Sequence, residues 1–280
     1  MTTGLVDIAG NLTNKAFRED LPAVLARAEA ADLHAIVVAG VSTTTSRRGW
    51  EMAADHRGSV RLVATSGIHP HHASQCGPQA LAEIAEIAAK LGCIAVGECG
   101  LDYNRDFCPR DVQRKTFEAQ LEIAAGLKKP VYLHERDAHE DFLAIMTRWR
   151  PQLIGGVVHC FTGTGEAMRA YLDLDLHVGF TGWLCDERRG THLRALVKDV
   201  PAGRFMVETD APYILPRDLP ARPKSGRNEP AYVRHIARVI ARLRDETEAE
   251  LAAHTTATAR QLFALDDHCS ALLSSSRTTP

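Results

Sequence analysis

Apolar runs in this chain repeatedly end on residues that can bind a metal. Asp7 lies within LVDIA (5–9), CIAVGE (93–98) closes on Glu98, PVYLH (130–134) on His134 and IGGVVH (154–159) on His159. RLVATSG (61–67) runs into GIHPHH, with His69, His71 and His72, and RFMVE (204–208) leads through Glu208 to Asp210. An unpaired buried carboxylate is costly, so acids at the end of a core strand need partners. A single histidine at a strand end is ordinarily a satisfied core or rim residue. Six strands ending this way point to one shared cation. Imidazoles mixed with carboxylates suit Zn, Mn, Fe or Mg. Such an ion lowers the pKa of water and polarises a phosphoryl or carbonyl oxygen. Asp210, just past its strand, is placed to take the water's proton. Glu208 reads as an ion-pair or cap partner. Cys99 and Cys160, next to Glu98 and His159, should point elsewhere.

Elements must bring these residues together. Further strands are read at HAIVVAG (34–40) and LHVGF (176–180), making eight, each continuously apolar and so buried on both faces. Helical stretches fall between or after them, at 20–31, 78–91, 113–127, 229–246 and 248–265. Repeated strand–helix units of this length predict one (β/α)8 barrel over 1–265 with a C-terminal tail over 266–280. A doubly wound open sheet is the competitor, but no GxGxxG follows the first strand. In a barrel, the strand ends would meet on one face.

Composition narrows the class. With 45% hydrophobic and 24% charged residues and a net charge of −2, the chain is an ordinary globular protein whose overall charge advertises no polyanion. Any nucleic acid must then meet a local patch or a metal. No apolar stretch is long enough to cross a bilayer, and residues 1–10 lack a signal-peptide pattern. Seven irregularly spaced cysteines without a CxxC read as reduced thiols, so the expected location is the cytoplasm.

At these residues the sequence resembles the TatD family of metal-dependent deoxyribonucleases. The resemblance rests on GIHPHH (67–72), VGECGLDYNRDF (96–107), LHERDA (133–138), VVHCFTGT (157–164), GFTGWLCDERRG (179–190) and ETDAPYILPRD (208–218). It implies a (β/α)8 metal-dependent hydrolase acting as a 3′-to-5′ exonuclease on single-stranded DNA, with RNA a further substrate, in DNA repair or degradation. It implies Mg as cofactor, with Mn and Zn as alternatives, and a monomer. Carried over, Glu98, His134 and His159 are metal ligands, Asp210 is the catalytic or metal-facing acid, and His69 and His71 lie near the substrate phosphate. One departure stands out. The wider family's opening D-x-H-x-H here reads Asp7-Ile8-Ala9-Gly10-Asn11, so a second metal on Asp7 and Asn11 would be weak or absent.

The segment 216–230 adds a candidate phosphate surface. It holds Arg217, Arg222, Lys224 and Arg227 in a proline-rich loop, while Arg136 follows strand five and Arg105 strand four. Such groups hold a phosphate backbone without reading bases. Tyr103, Trp183 and Tyr213 are available to stack bases or to pack in the core. Alternatives to the nuclease reading are an amidohydrolase or esterase on a small molecule or aminoacyl-tRNA, and a non-catalytic nucleic-acid-binding protein.

Overall fold

Each Val- and Ile-rich run forms a strand, and the eight strands pair in parallel in strict chain order in this computed structural model, which describes residues 4–266. The strands are β1 (Leu5–Gly10), β2 (Leu33–Val38), β3 (Arg61–Ser66), β4 (Cys93–Asp102), β5 (Val131–Arg136), β6 (Gly156–Val158), β7 (His177–Phe180) and β8 (Phe205–Val207). A parallel bridge between Gly10 and Ala211 brings the segment after β8 back beside β1. Sequential order with first and last strands adjacent is a barrel; a doubly wound sheet would place later strands on the other side of β1. Of the expected tail, residues 267–280 lie outside the described residues.

The pleat divides the core in two. Val6, Ile8, Val37, Val63, Ile94 and Met206 point into the barrel, where Ala259, Phe263 and Leu265 of the C-terminal segment join them. Alternate residues such as Leu5, Ile36, Val38, Leu62 and Val96 pack outward against the helices. Burial on both sides explains the continuous apolar runs.

The helices are α1 (Leu21–Ala30), α2 (Thr43–Asp55), α3 (Pro78–Ala88), α4 (Arg110–Leu127), α5 (His139–Trp149), α6 (Gly165–Asp173), α7 (Thr191–Asp199), α8 (Val233–Leu243) and α9 (Glu248–Phe263). Periodicity alone missed α2, α5, α6 and α7. In α2 the sequence TTTSRRGWEMAAD buries only Ser46, Gly49 and Ala53, so the apolar stripe is faint. Its start is marked instead by a capping box, Ser42 with Thr45. No helix among the described residues is long and apolar enough to cross a membrane.

Two strand ends differ from expectation in a way that matters. β4 runs on to Asp102, four residues past Glu98, and β5 runs on to Arg136, past His134. These extensions pair with each other, Gly100 with His134 and Asp102 with Arg136. Glu98 therefore sits inside a strand, and Asp102 at its end.

Candidate metal centre

Glu98 reaches the barrel mouth through a break in the ladder. Gly97 pairs with Tyr132 and Cys99 with Leu133, so Glu98 is the extra residue on its strand. A bulge of this kind re-aims a side chain. The Glu98 N–H turns the other way and donates to the Gly40 carbonyl at 2.8 Å. Neighbouring glycines permit the approach. A Cβ on Gly97 would lie 2.0 Å from the Tyr132 carbonyl oxygen, and one on Gly100 1.9 Å from that of His134.

Three imidazole nitrogens converge on one oxygen of this carboxylate. His159 Nε2 lies 2.7 Å from Glu98 Oε1, His134 Nδ1 2.9 Å and His69 Nε2 3.3 Å. Burial by itself would raise the Glu98 pKa, but His159, His69 and His134 together hold it well below the usual carboxylate range. In return, Glu98 and Glu208 overcome the burial penalty on His159 and hold its imidazolium well above the ordinary histidine range. His134 is raised as well, by Asp102 and Glu98 acting against burial.

His69 has a distinct role in this group. Its Nδ1 accepts a hydrogen bond from the His71 backbone N–H at 3.1 Å. A neutral ring accepting there carries its proton on Nε2, the nitrogen facing Glu98. Burial pulls its pKa down to about 4, which favours that neutral form. His69 is thus a hydrogen-bond donor at the mouth, although its ligand atom clusters with those of Glu98 and His134 within 4.8 Å.

Around this group stand carboxylates that sequence reasoning placed differently. Glu208 is fully buried, Oε1 accepts from the Cys160 backbone N–H, and Oε2 lies 3.6 Å from His159 Nδ1. The expectation of an ion-pair partner holds, but the pair sits at the site itself. Asp102 was not singled out at all. Its Oδ2 lies 2.6 Å from His71 Nε2 and 3.5 Å from His134 Nε2, while Oδ1 accepts from the Asn104 and Arg105 N–H groups. Its position within the GLDYNRDF stretch was the available signal; the length of β4 hid it.

Asp210 lines the same cleft, and Asn11 Nδ2 donates to its Oδ1 at 2.8 Å. Burial pushes its carboxyl up to about 7, against the opposing pull of His159. Asp7 is engaged elsewhere. Thr209 donates to Asp7 from its hydroxyl at 2.6 Å and from its N–H at 2.9 Å, and burial pushes Asp7 up to about 7. The structure therefore ties Asn11 to Asp210 and Asp7 to Thr209, rather than the two to each other.

Three buried atoms here have no hydrogen-bond partner: His134 Nε2, His159 Nδ1 and Glu208 Oε2. Each orphan of this kind costs about 1–3 kcal/mol. Imidazole nitrogens crowded on one carboxylate oxygen, His159 Nε2 and His134 Nδ1 on Glu98, are a donor set that suits a divalent cation, so the residues fit such an ion.

A cleft of about 480 Å³ opens over the group, and Arg105, Phe107, Cys160 and Tyr213 also line it. Cys160, expected to point elsewhere, borders the cleft, with its Sγ 3.9 Å from Thr181 Oγ1. Phe107 and Tyr213 are exposed at 67% and 53%, flat apolar faces beside the candidate ligands. Phe107 was missed, since a single aromatic in a loop has no sequence signature. Tyr103 and Trp183 are partly buried, and Arg136 lies over the Trp183 ring while donating to Thr162 Oγ1 at 2.7 Å.

The basic loop divides. Arg222 and Lys224 are exposed. Arg227 is not available in the same way: its guanidinium grips both Asp20 oxygens, at 2.8 and 2.7 Å, and the Ala16 carbonyl. The reading of Arg227 as a phosphate contact is thereby corrected to a loop anchor, because a bidentate carboxylate already satisfies its fork.

Residues 6–264 match the family model described as TatD related DNase. A protein of Erwinia billingiae named 3′-5′ ssDNA/RNA exonuclease TatD is 45% identical over 93% of this chain and 99% of its own length. The protein of that name in Klebsiella pneumoniae is 45% identical over 94% of this chain and 98% of its own. Among solved structures, a hydrolase TatD family protein from Entamoeba histolytica superposes with a TM-score of 0.85 at 24% identity, covering 94% of this chain and 99% of that one. YJJV, a TatD homologue from Escherichia coli, gives a TM-score of 0.85 at 25% identity, with 94% and 99% covered.

Proposed function

The chain belongs to the family of TatD-related DNases, and from that premise we propose that it is a divalent-metal-dependent exonuclease removing nucleotides from the 3′ ends of single-stranded DNA or RNA. The observation that carries the reading is the convergence of His159, His134 and His69 on one Glu98 oxygen at the barrel mouth. Glu98, His134, His159 and Asp210 would hold the ion. A divalent cation supplies Lewis acidity toward a phosphoryl oxygen, a lowered water pKa and charge neutralisation.

The chain's own residues do the rest. Asp210, which lines the cleft with its Oδ1 fixed by Asn11, is placed to serve as the base for the attacking water. His69, with its Nε2 toward Glu98, and His71, held by Asp102, line the cleft where a substrate phosphate would sit. Glu208 orients His159 from behind. Phe107 and Tyr213 offer stacking faces to the terminal bases, and Arg222 and Lys224 meet backbone phosphates farther along the strand. None of these contacts reads base identity, which suits degradation of any sequence.

The test is metal-stripped protein with 5′-labelled single-stranded DNA and RNA, with EDTA and with Mg²⁺, Mn²⁺ or Zn²⁺. Mg²⁺ is the ion proposed. The expected result is a ladder shortening from the 3′ end, abolished by EDTA and blocked by a 3′-terminal phosphorothioate. Absence of products with every ion, or cleavage that survives EDTA, would refute the proposal.

A further inference from the structure

A second group of mixed donors lies away from the barrel mouth. Cys185 closes a short 3-10 turn after β7, Asp218 lies in the loop after β8, and His235 is in the first turn of α8. One sulfur, one carboxylate oxygen and one imidazole nitrogen from these residues all lie within 4.8 Å of one another. His235 Nε2 is 2.7 Å from Asp218 Oδ1. Cys185 is fully buried, whereas Asp218 is at the surface. A cleft of about 200 Å³, lined by Cys185, Asp186, Arg217 and Asp218, leads in from solvent.

We propose that Cys185, Asp218 and His235 bind a thiophilic divalent cation of the zinc class, and that this ion clamps the loop after β8 to α8 and to the turn after β7. Sulfur, imidazole nitrogen and carboxylate oxygen are the donor types zinc selects, at bond lengths of about 2.0–2.3 Å. Donors in a tetrahedral site then stand roughly 3–4 Å apart, so His235 Nε2 and Asp218 Oδ1, now 2.7 Å apart, must part slightly, a movement within reach of the exposed Asp218. The cleft gives the ion a way in and leaves room for a water as fourth ligand.

Cys185 is a free cysteine, and Arg188 and Arg217 line the cleft beside Asp186. On binding, the S–H bond breaks, a sulfur–metal bond forms and the proton leaves to solvent. Thiolate and carboxylate then neutralise the dication. The adjacent Asp186 is already paired with Arg188 at 3.0 Å and adds no competing demand. No motif announces this site, because its ligands are separated by 32 and 16 intervening residues. The segment it would pin begins the loop that carries Arg222 and Lys224, and the inference does not depend on the nuclease reading.

The experiment titrates reduced, metal-stripped full-length protein with Co²⁺, a coloured stand-in for zinc, and reads the thiolate-to-cobalt charge-transfer band. The band should saturate at one equivalent per chain, be bleached by Zn²⁺, persist in Cys160→Ser and vanish in Cys185→Ser. Asp218→Asn, a surface change that leaves the core alone, should weaken Co²⁺ binding at least about tenfold, as loss of an outer-sphere partner alone commonly does. No band in the wild type, a full band in Cys185→Ser, loss of the band in Cys160→Ser, or unchanged affinity in Asp218→Asn would each overturn the proposal and leave a hydrogen-bonded staple. Circular dichroism on each variant checks folding, and the Asp218→Asn arm decides the matter if Cys185→Ser does not fold.

Discussion

Glu208 Oε2 lies 3.6 Å from His159 Nδ1, and neither atom has a hydrogen-bond partner. The other nitrogen of that imidazole faces Glu98, so the ring stands between two carboxylates. This is the arrangement by which an outer carboxylate orients a ligating histidine and raises its basicity. Glu208→Gln should therefore lower metal affinity at the barrel mouth by about 10–100-fold without removing a ligand. Calorimetric Mn²⁺ titration in a Cys185→Ser background measures it, and unchanged affinity would show Glu208 to be structural only.

His134→Ala and His159→Ala should each abolish nuclease activity while the far-ultraviolet circular dichroism stays that of the parent. His159 is buried against Tyr132, but neither histidine is a member of the apolar clusters, so their loss leaves the members of those clusters in place. In the same Cys185→Ser background, Mn²⁺ should bind tightly at one equivalent, since Asp7 is spent on Thr209 and Asn11 on Asp210. Two equally tight equivalents, or normal turnover by either histidine variant, would contradict the ligand assignment.

Metal uptake at neutral pH should release protons. His159 is held well above the ordinary histidine range by Glu98 and Glu208, and His134 is raised by Asp102 and Glu98, so a cation competes with protons for these rings. The sign follows directly: affinity rises with pH until those groups have titrated and falls as pH drops below. Binding heats in buffers of different ionisation enthalpy report the proton count. A count of zero at pH 7 would rule out this coupling.

Removing Arg222 and Lys224 together should raise KM for single-stranded DNA of any sequence and leave turnover at saturation nearly unchanged. Each lost phosphate contact should reduce the salt slope by roughly 0.7. Arg227→Ala should behave differently. It frees Asp20 and the loop, and should lower the melting temperature before it changes the salt slope. The opposite pattern for either variant would reverse their roles.

Gly100→Ala should cost about 3 kcal/mol or more, the upper range for overpacking. Its φ of 143° and the His134 carbonyl 1.9 Å from a Cβ leave no room between β4 and β5. A urea midpoint near that of the parent would show that the strands can part there.

Much of this candidate site was legible residue by residue. Glu98, His134, His159 and Asp210 each follow a run too apolar to be anything but a core strand, and polar side chains in that position need a partner. The barrel was legible for the same reason: runs buried on both faces call for helices on one side and a closed interior on the other. α2 and α5 to α7 were not, because short helices with a faint apolar stripe draw their stability from what they pack against.

What the tertiary structure decided is which polar groups meet. Asp102 and Glu208 are ordinary acids in the sequence. One enters the site because β4 continues past a bulge, the other because its strand places it against His159. Arg222 and Arg227 stand in one loop with one charge, yet only Arg227 finds Asp20, 207 residues away in the chain. Cys185, Asp218 and His235 come together only when β7, β8 and α8 are side by side. Hydrophobic pattern is a local property, written along the chain with the period of each element. The pairing of charges and donors is set by register and closure, which link residues that no local pattern connects.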